Sequence, residues 1–229
     1  MIIGGLQKTS VIDYPGKVSC VLFCTGCNFR CPYCHNPDLI SVANPPFMTV
    51  DQFFEFITQR KDFLDGVVVT GGEPTMDDNI LPLCRGIKEK GLAVKLDTNG
   101  SRPAMLEKLL DAGVVDYIAM DIKTRPGNYA VLAGKNFDTD RIRSSIKTIK
   151  HAGLPYEFRT TCVRPFVDED IIHKIADLVA GAPLYVLQKC RTQRVLSPEF
   201  FADKEPFTNG ELEHFREIAA KKVDRCQIR

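Results

Sequence analysis

Residues 66–74 read Gly66-Val67-Val68-Val69-Thr70-Gly71-Gly72-Glu73-Pro74. Three valines in a row make a short, β-branched, wholly apolar run. That is the pattern of a strand buried on both faces, as in a parallel sheet. The run breaks into two glycines, a carboxylate and a proline, and a helical segment over 79–90 follows, closed by Gly91. Strand, polar turn and helix together form one unit of an α/β fold.

The same unit recurs outward in both directions. Upstream, 18–23 (VSCVLF) predicts a buried strand that runs into a cysteine-rich loop. Asn44, Pro45 and Pro46 punctuate the chain before a helix starting near Thr49. Thr49 suits the N-cap, and Phe53, Phe54 and Ile57 suit one buried helical face. Downstream, a strand over 92–96 ends in Asp97-Thr98-Asn99-Gly100, and a helix over 103–112 has proline first and Gly113 last. A strand over 116–120 ends in Asp121-Ile122-Lys123, before a helix over 139–152 stopped by Gly153. Strands over 156–163 and 184–187 alternate with helices over 168–180 and 209–223.

Six strand–helix units predict a parallel sheet with right-handed crossovers. Eight units would close a barrel, so six predict a partial (β/α)6 barrel. With no repeat or linker in the sequence, the expected organisation is a single domain over 1–229. The polar motifs fall at the C-terminal ends of the strands, the face on which such folds build active sites.

Composition narrows the function classes. The chain has 229 residues, with 30 Lys and Arg against 29 Asp and Glu, a net charge of +1. That balance argues against a nucleic-acid binder working by bulk charge and leaves open only a local basic patch. Hydrophobic residues are 44% and charged residues 26%, the mix of a soluble globular protein. No run of about 18 apolar residues exists, which excludes a transmembrane helix. The first residues lack a basic stretch followed by a long apolar run, so no secretory signal is expected and the expected location is the cytosol.

The cysteines point to chemistry. Five of the nine crowd into Cys20, Cys24, Cys27, Cys31 and Cys34. The total is odd and far below the density of a disulfide scaffold, so a local cluster reads as metal binding or catalysis. Cys27, Cys31 and Cys34 form CxxxCxxC. Thiolates are soft ligands for zinc, copper(I) or iron–sulfur clusters. Structural zinc wants four ligands, usually in two pairs. On three cysteines, a four-iron cluster keeps one iron without a protein thiolate and open to a small molecule. The competing reading is a zinc loop completed by Cys24 or His35. Cys20 and Cys24 themselves read as small core residues. Arg159, Arg164 and Arg194 read either as solvated side chains or as the lining of a docking groove.

CxxxCxxC with Tyr33 before the last cysteine resembles the signature of the radical S-adenosylmethionine (SAM) superfamily. The resemblance implies one [4Fe-4S] cluster on Cys27, Cys31 and Cys34 in a loop over 24–37, with SAM on the fourth iron and Tyr33 near the adenine. Gly71-Gly72-Glu73-Pro74 is similar to the family's GGEP, which implies contact with the SAM ammonium; by itself it also reads as an ordinary strand-to-helix turn. The motifs at 96–100 and 120–123, together with Ser10-Val11-Ile12-Asp13-Tyr14-Pro15-Gly16 and Cys34-His35-Asn36-Pro37, resemble one branch, the glycyl-radical-enzyme activating enzymes. The whole chain is similar to its compact type, which serves anaerobic ribonucleotide reductase.

From that branch, cofactor contacts are implied at Tyr33, His35, Gly71, Gly72, Glu73, Asp97, Thr98, Asp121 and Lys123. Asp97, Thr98 and Asp121 also suit a monovalent cation, Na+ or K+, since oxygen ligands suit hard cations. Larger relatives carry extra cysteines between the first motif and GGEP. Residues 36–71 contain none, so a single cluster is expected. Relatives also place a histidine after the last strand; this chain has Leu187-Gln188-Lys189-Cys190-Arg191, with Gln188 as the substitute.

The implied reaction is reductive cleavage of SAM to a 5′-deoxyadenosyl radical, which takes a hydrogen from a glycine of a partner glycyl radical enzyme. A flavodoxin or ferredoxin is the implied electron donor, oxygen must be kept out, and no side chain need act as a general acid or base. The alternatives are a radical SAM enzyme acting on a small heterocycle, as 7-carboxy-7-deazaguanine synthases do, or on a peptide, and, outside enzymes, a zinc-binding interaction module.

Overall fold

The computed structural model describes residues 1–41 and 46–229. Of the expected punctuation before the first helix, Asn44 and Pro45 lie outside the described residues. The fold is α/β, and eight strands follow one another across a mainly parallel sheet in chain order. The residues divide between two compact units, each assembled from separated segments.

The first unit comprises Met1–Asn28, Asp38–Thr98 and Ala104–Ile118. Strand β1 (Ile3–Ser10) runs antiparallel to β2 (Ser19–Cys24), with Ile3 opposite Cys24 and Ser10 opposite Ser19. Strand β2 lies parallel to β3 (Gly66–Gly71), in register from Ser19 and Gly66 to Cys24 and Gly71. Strand β3 lies parallel to β4 (Ala93–Thr98). Val67, Val68 and Val69 are at most 1% exposed, as the opening valine run requires of a strand covered on both faces.

Helix α1 (Val50–Arg60) starts from a capping box: the Thr49 side chain accepts from the Gln52 amide, and the Gln52 side chain accepts from the Thr49 amide. Phe53 and Ile57 are fully buried, each worth about 1.5–3 kcal/mol relative to exposure. Helices α2 (Ile80–Glu89) and α3 (Pro103–Asp111) likewise bury one face, through Ile80, Leu83 and Ile87 and through Met105, Leu106 and Leu109.

Strand β5 (Tyr117–Asp121) begins in the first unit and ends in the second, which comprises Phe29–Pro37, Asn99–Pro103 and Ala119–Arg229. There follow α4 (Ala130–Ala133), α5 (Asp140–Lys150), β6 (Tyr156–Cys162), α6 (Glu169–Leu178), β7 (Tyr185–Lys189), α7 (Asn209–Ala220) and β8 (Cys226–Ile228). Strands β6, β7 and β8 are successive parallel neighbours. The buried side of this unit is built from Phe158, Tyr185, Leu187, Ile146, Ile149, Ile172 and Ile175.

All six expected strand–helix units are present, as β2–α1 through β7–α7. Two strands were not expected. In β1, two glycines and the polar run Gln7-Lys8-Thr9 hide the apolar signal, because this strand lies at the edge of the sheet beside β2 and leaves Gln7, Lys8 and Thr9 exposed. In β8, three residues are too few for any period. Strand β4 runs past its expected end at 96, so Asp97 and Thr98 are strand residues. Helix α7 stops three residues before its expected end, at Ala220.

Candidate functional site

In the first unit the backbone comes first. The Gly72 amide donates to the Cys24 carbonyl at 2.8 Å, and the Glu73 amide donates to the Gly26 carbonyl at 2.7 Å. Gly26 and Cys27 in turn donate to the carbonyls of Leu39 and Ile40. Gly71 has φ +117°, and a Cβ there would collide with the Cys24 backbone; one on Gly72 would collide with the Gly26 carbonyl. The two glycines are therefore required because the end of β3 zips backbone-to-backbone onto the start of the cysteine loop.

Glu73 is 1% exposed. Its Oε1 accepts from the Thr75 amide at 3.1 Å, the Thr75 hydroxyl at 2.5 Å and the Thr98 hydroxyl at 2.7 Å. The expected cofactor residues Glu73 and Thr98 are thus tied to each other, joining the ends of β3 and β4 around a buried carboxylate that its donors satisfy. Asp97 Oδ1 lies 2.5 Å from the Lys95 Nζ, with side-chain exposures of 15% and 2%.

In the second unit Cys31 is buried and Cys34 half-buried, and the Cys34 amide donates to the Cys31 carbonyl at 3.0 Å. A strap after β7 holds this part of the loop: the Leu196 amide donates to the Cys34 carbonyl and the Ser197 amide to the Pro32 carbonyl. Phe29 packs edge-on against Tyr129 and Phe137. Tyr33 is 3% exposed, packs on Phe166, and holds a buried hydroxyl with no hydrogen-bond partner. Burial pushes that phenol well above its ordinary range. His35 is exposed, and its Nε2 lies 2.9 Å from the Arg191 carbonyl and 4.0 Å from the Cys190 Sγ.

At the end of β5, Asp121 Oδ2 accepts from the Lys123 Nζ at 2.8 Å and Oδ1 from the Arg159 Nε at 2.8 Å. Burial raises the Asp121 carboxyl, but Arg159 and Lys123 more than reverse it and hold it well below the usual carboxylate range. Burial lowers the Lys123 ammonium, Asp121 outweighs that, and the net direction is up. The Lys123 amide donates to the buried Tyr129 hydroxyl at 3.0 Å. Gln188 is half-buried on β7, in register with Thr161.

The expected residues thus sort by unit. Cys27, Gly71, Gly72, Glu73, Asp97 and Thr98 belong to the first; Cys31, Tyr33, Cys34, His35, Asp121, Lys123 and Gln188 belong to the second. Cys20 and Cys24 are fully buried, as core residues should be, and all nine cysteines are free thiols. Among the described residues, no three His, Cys, Asp or Glu side chains are grouped to hold a single metal ion. Arg164 pairs with Glu211 at 2.5 Å and lies over the Phe207 ring, with about 40% of its side chain exposed.

Two partners escaped the sequence reading. Lys95 and Arg159 each hold an expected aspartate. Lys95 carried a visible signal, since it lies two positions from Asp97 on one strand and so shares its face, whereas the charge two positions from Arg159 is Glu157 and does not point to Asp121.

The model of the radical SAM superfamily matches residues 21–179. The Methanocaldococcus jannaschii protein MJ1227, named by inference a glycyl-radical enzyme activating enzyme, is 37% identical over 235 aligned positions. These cover 100% of this chain and 95% of that protein. The pyruvate formate-lyase-activating enzyme of Clostridium pasteurianum is 29% identical, over 77% of this chain and 75% of its own. Among solved structures, Streptococcus suis SuiB with its precursor peptide SuiA superposes with a TM-score of 0.69 at 14% identity. That match covers 90% of this chain and 47% of SuiB, a likeness of fold.

Proposed function

The chain belongs to the radical SAM superfamily, in its branch of glycyl-radical-enzyme activating enzymes, and from that premise we propose that it activates a glycyl radical enzyme, with anaerobic ribonucleotide reductase as the first partner to try. The observation that carries this is the 37% identity along the full chain to a relative named for that activity. The family match runs through segments of both units, which supports treating 1–229 as a single radical SAM domain.

The residues suit the cofactors the family implies. Cys27, Cys31 and Cys34 are free thiols in one loop, and soft thiolates are the ligands an iron–sulfur cluster takes. The unpartnered hydroxyl of Tyr33 beside Cys34 is a buried polar group awaiting a partner. When bound, a [4Fe-4S] cluster and SAM supply one-electron cleavage of the sulfonium to methionine and a 5′-deoxyadenosyl radical, which takes the α-hydrogen of a glycine.

The side chains of this chain bind and orient. Lys123 offers a cation to the SAM carboxylate, and Asp121 and Arg159 fix its position. Gly71, Gly72 and Glu73 hold the end of β3 against the cysteine loop and present a backbone edge to the SAM ammonium. Tyr33 packs toward the adenine, and His35 ties the loop to the segment after β7. Gln188 takes the place of the histidine of larger relatives. A flavodoxin or ferredoxin donates the electron, and the enzyme works anaerobically in the cytoplasm. No helix among the described residues is long and apolar enough to cross a membrane.

The test mixes the reduced, reconstituted protein and SAM with each glycyl radical enzyme of the source cell under anaerobiosis. The expected result is a doublet in the electron paramagnetic resonance spectrum of one partner, since one α-hydrogen remains. SAM cleavage with no doublet, and a modified heterocycle or peptide instead, overturns the activase reading. One zinc per chain and no sulfide overturns the cluster itself.

A further inference from the structure

Lys95 is a buried cation that the proposed chemistry leaves without a part. It is 1% exposed in the middle of β4, where an ammonium survives only if paired. Lys95 and Asp97 are two apart on one strand and so share a face. The Nζ lies 2.5 Å from the Asp97 Oδ1, with the buried Tyr117 ring centroid 5.8 Å away. We propose that Lys95 is the resident counter-cation of Asp97 and stands in for the sodium or potassium ion that the oxygens at the end of β4 would otherwise attract.

The argument is one of charge and space. Asp97 is only 15% exposed and requires a positive neighbour. Lys95 supplies one from the same strand, covalently and at every salt concentration. A second monovalent cation on the same carboxylate would meet the ammonium at close range with little water to screen it. The hydroxyl of Thr98 is engaged as a donor to Glu73 Oε1 at 2.7 Å, so this oxygen is tied to a second carboxylate rather than to Asp97 alone. In the second unit Asp121 is likewise held by protein cations, Lys123 and Arg159. The donor set that suits an alkali ion in the sequence is therefore already neutralised within each unit.

This inference rests on the reading of Asp97 as a residue of the SAM site, and the experiment separates the two. The full chain with its reconstituted cluster is placed in sodium, potassium or tetramethylammonium chloride at equal ionic strength, and its thermal midpoint and SAM affinity are measured. The wild-type protein is expected to give the same midpoint and the same affinity, within twofold, in all three salts. Lys95→Met is expected to lose SAM affinity tenfold or more in tetramethylammonium, and to regain affinity and thermal midpoint in sodium or potassium. A saturable sodium- or potassium-specific response of the wild type, abolished by Asp97→Asn, overturns the proposal. So does a Lys95→Met protein that responds to no salt in either measurement. If Lys95→Met does not fold, the wild-type salt series still decides. If Asp97→Asn binds SAM normally while the midpoint of Lys95→Met still responds to alkali ions, the counter-cation role stands and the placement of Asp97 at the SAM site falls.

Discussion

The ends of β4 and β5 carry the same two residue types in mirror order. Strand β4 reads Lys95-Leu96-Asp97; the end of β5 reads Asp121-Ile122-Lys123. Each lysine bonds the aspartate two residues away, at 2.5 Å and 2.8 Å. Order alone decides depth. In β4 the lysine precedes the aspartate and lies inside the strand, 2% exposed; in β5 it follows and lies beyond the strand end, 16% exposed. Asp121 has a second cation in Arg159, which continues to the buried Glu157 and on to Arg229. One lysine lies inside its strand beside its aspartate, and the other lies beyond the strand end with more of its side chain exposed.

The largest effect tests whether the two units serve one chemistry at all. Cys27 belongs to the first unit, Cys31 and Cys34 to the second. Replacing any one by Ala is expected to abolish iron–sulfur absorbance and SAM cleavage together. A Cys27→Ala protein that keeps both, while the other two lose them, would assign the cluster to the second unit alone.

The next test goes to the mirrored pairs. Lys95→Met removes the paired ammonium from a mostly buried carboxylate and is expected to cost about 3 kcal/mol in denaturant unfolding. Lys123→Met leaves Arg159 on Asp121 and is expected to cost about 1 kcal/mol. Equal losses would erase the distinction. On SAM affinity Lys123→Ala is expected to weaken binding about 10- to 100-fold with the cluster intact, since a charge-assisted bond is worth about 1.5–3 kcal/mol. Unchanged affinity would show that this ammonium does not face the cofactor. The smallest effect is expected at Gln188→Ala, about threefold or less in SAM affinity, because a neutral amide contributes about half of what an ion does. A loss as large as that of Lys123→Ala would make Gln188 a full replacement for the histidine.

Where the sequence was readable, one property repeated often enough to be seen. The valine run at 67–69, the spacing of Phe53 and Ile57, and the cap at Thr49 each follow from a local rule, and each is found. The cysteine triplet was readable because its spacing is unusual. The partners of the polar residues were harder, because a side chain chooses among neighbours that the chain order does not reveal. Glu73 was read as a cofactor contact, and the sharing of its Oε1 by Thr75 and Thr98 was not foreseen. Arg159 was read as solvated or docking, yet it holds Asp121. Lys95 hid in plain view, since a lysine in an apolar strand is ordinarily an exposed one.

The strap at Leu196 and Ser197 grips the carbonyls of Cys34 and Pro32 with main-chain amides alone. Every amino acid but one possesses such an amide. The grip therefore leaves no signature in the letters at 196 and 197, and exchanging those letters leaves the bonding amides in place. Proline is the exception, since it has no N–H to give. A saturating mutational scan of the strap should be silent to side-chain chemistry at these bonds and should register a single forbidden residue, a trace of backbone geometry under selection that no conserved side chain would betray.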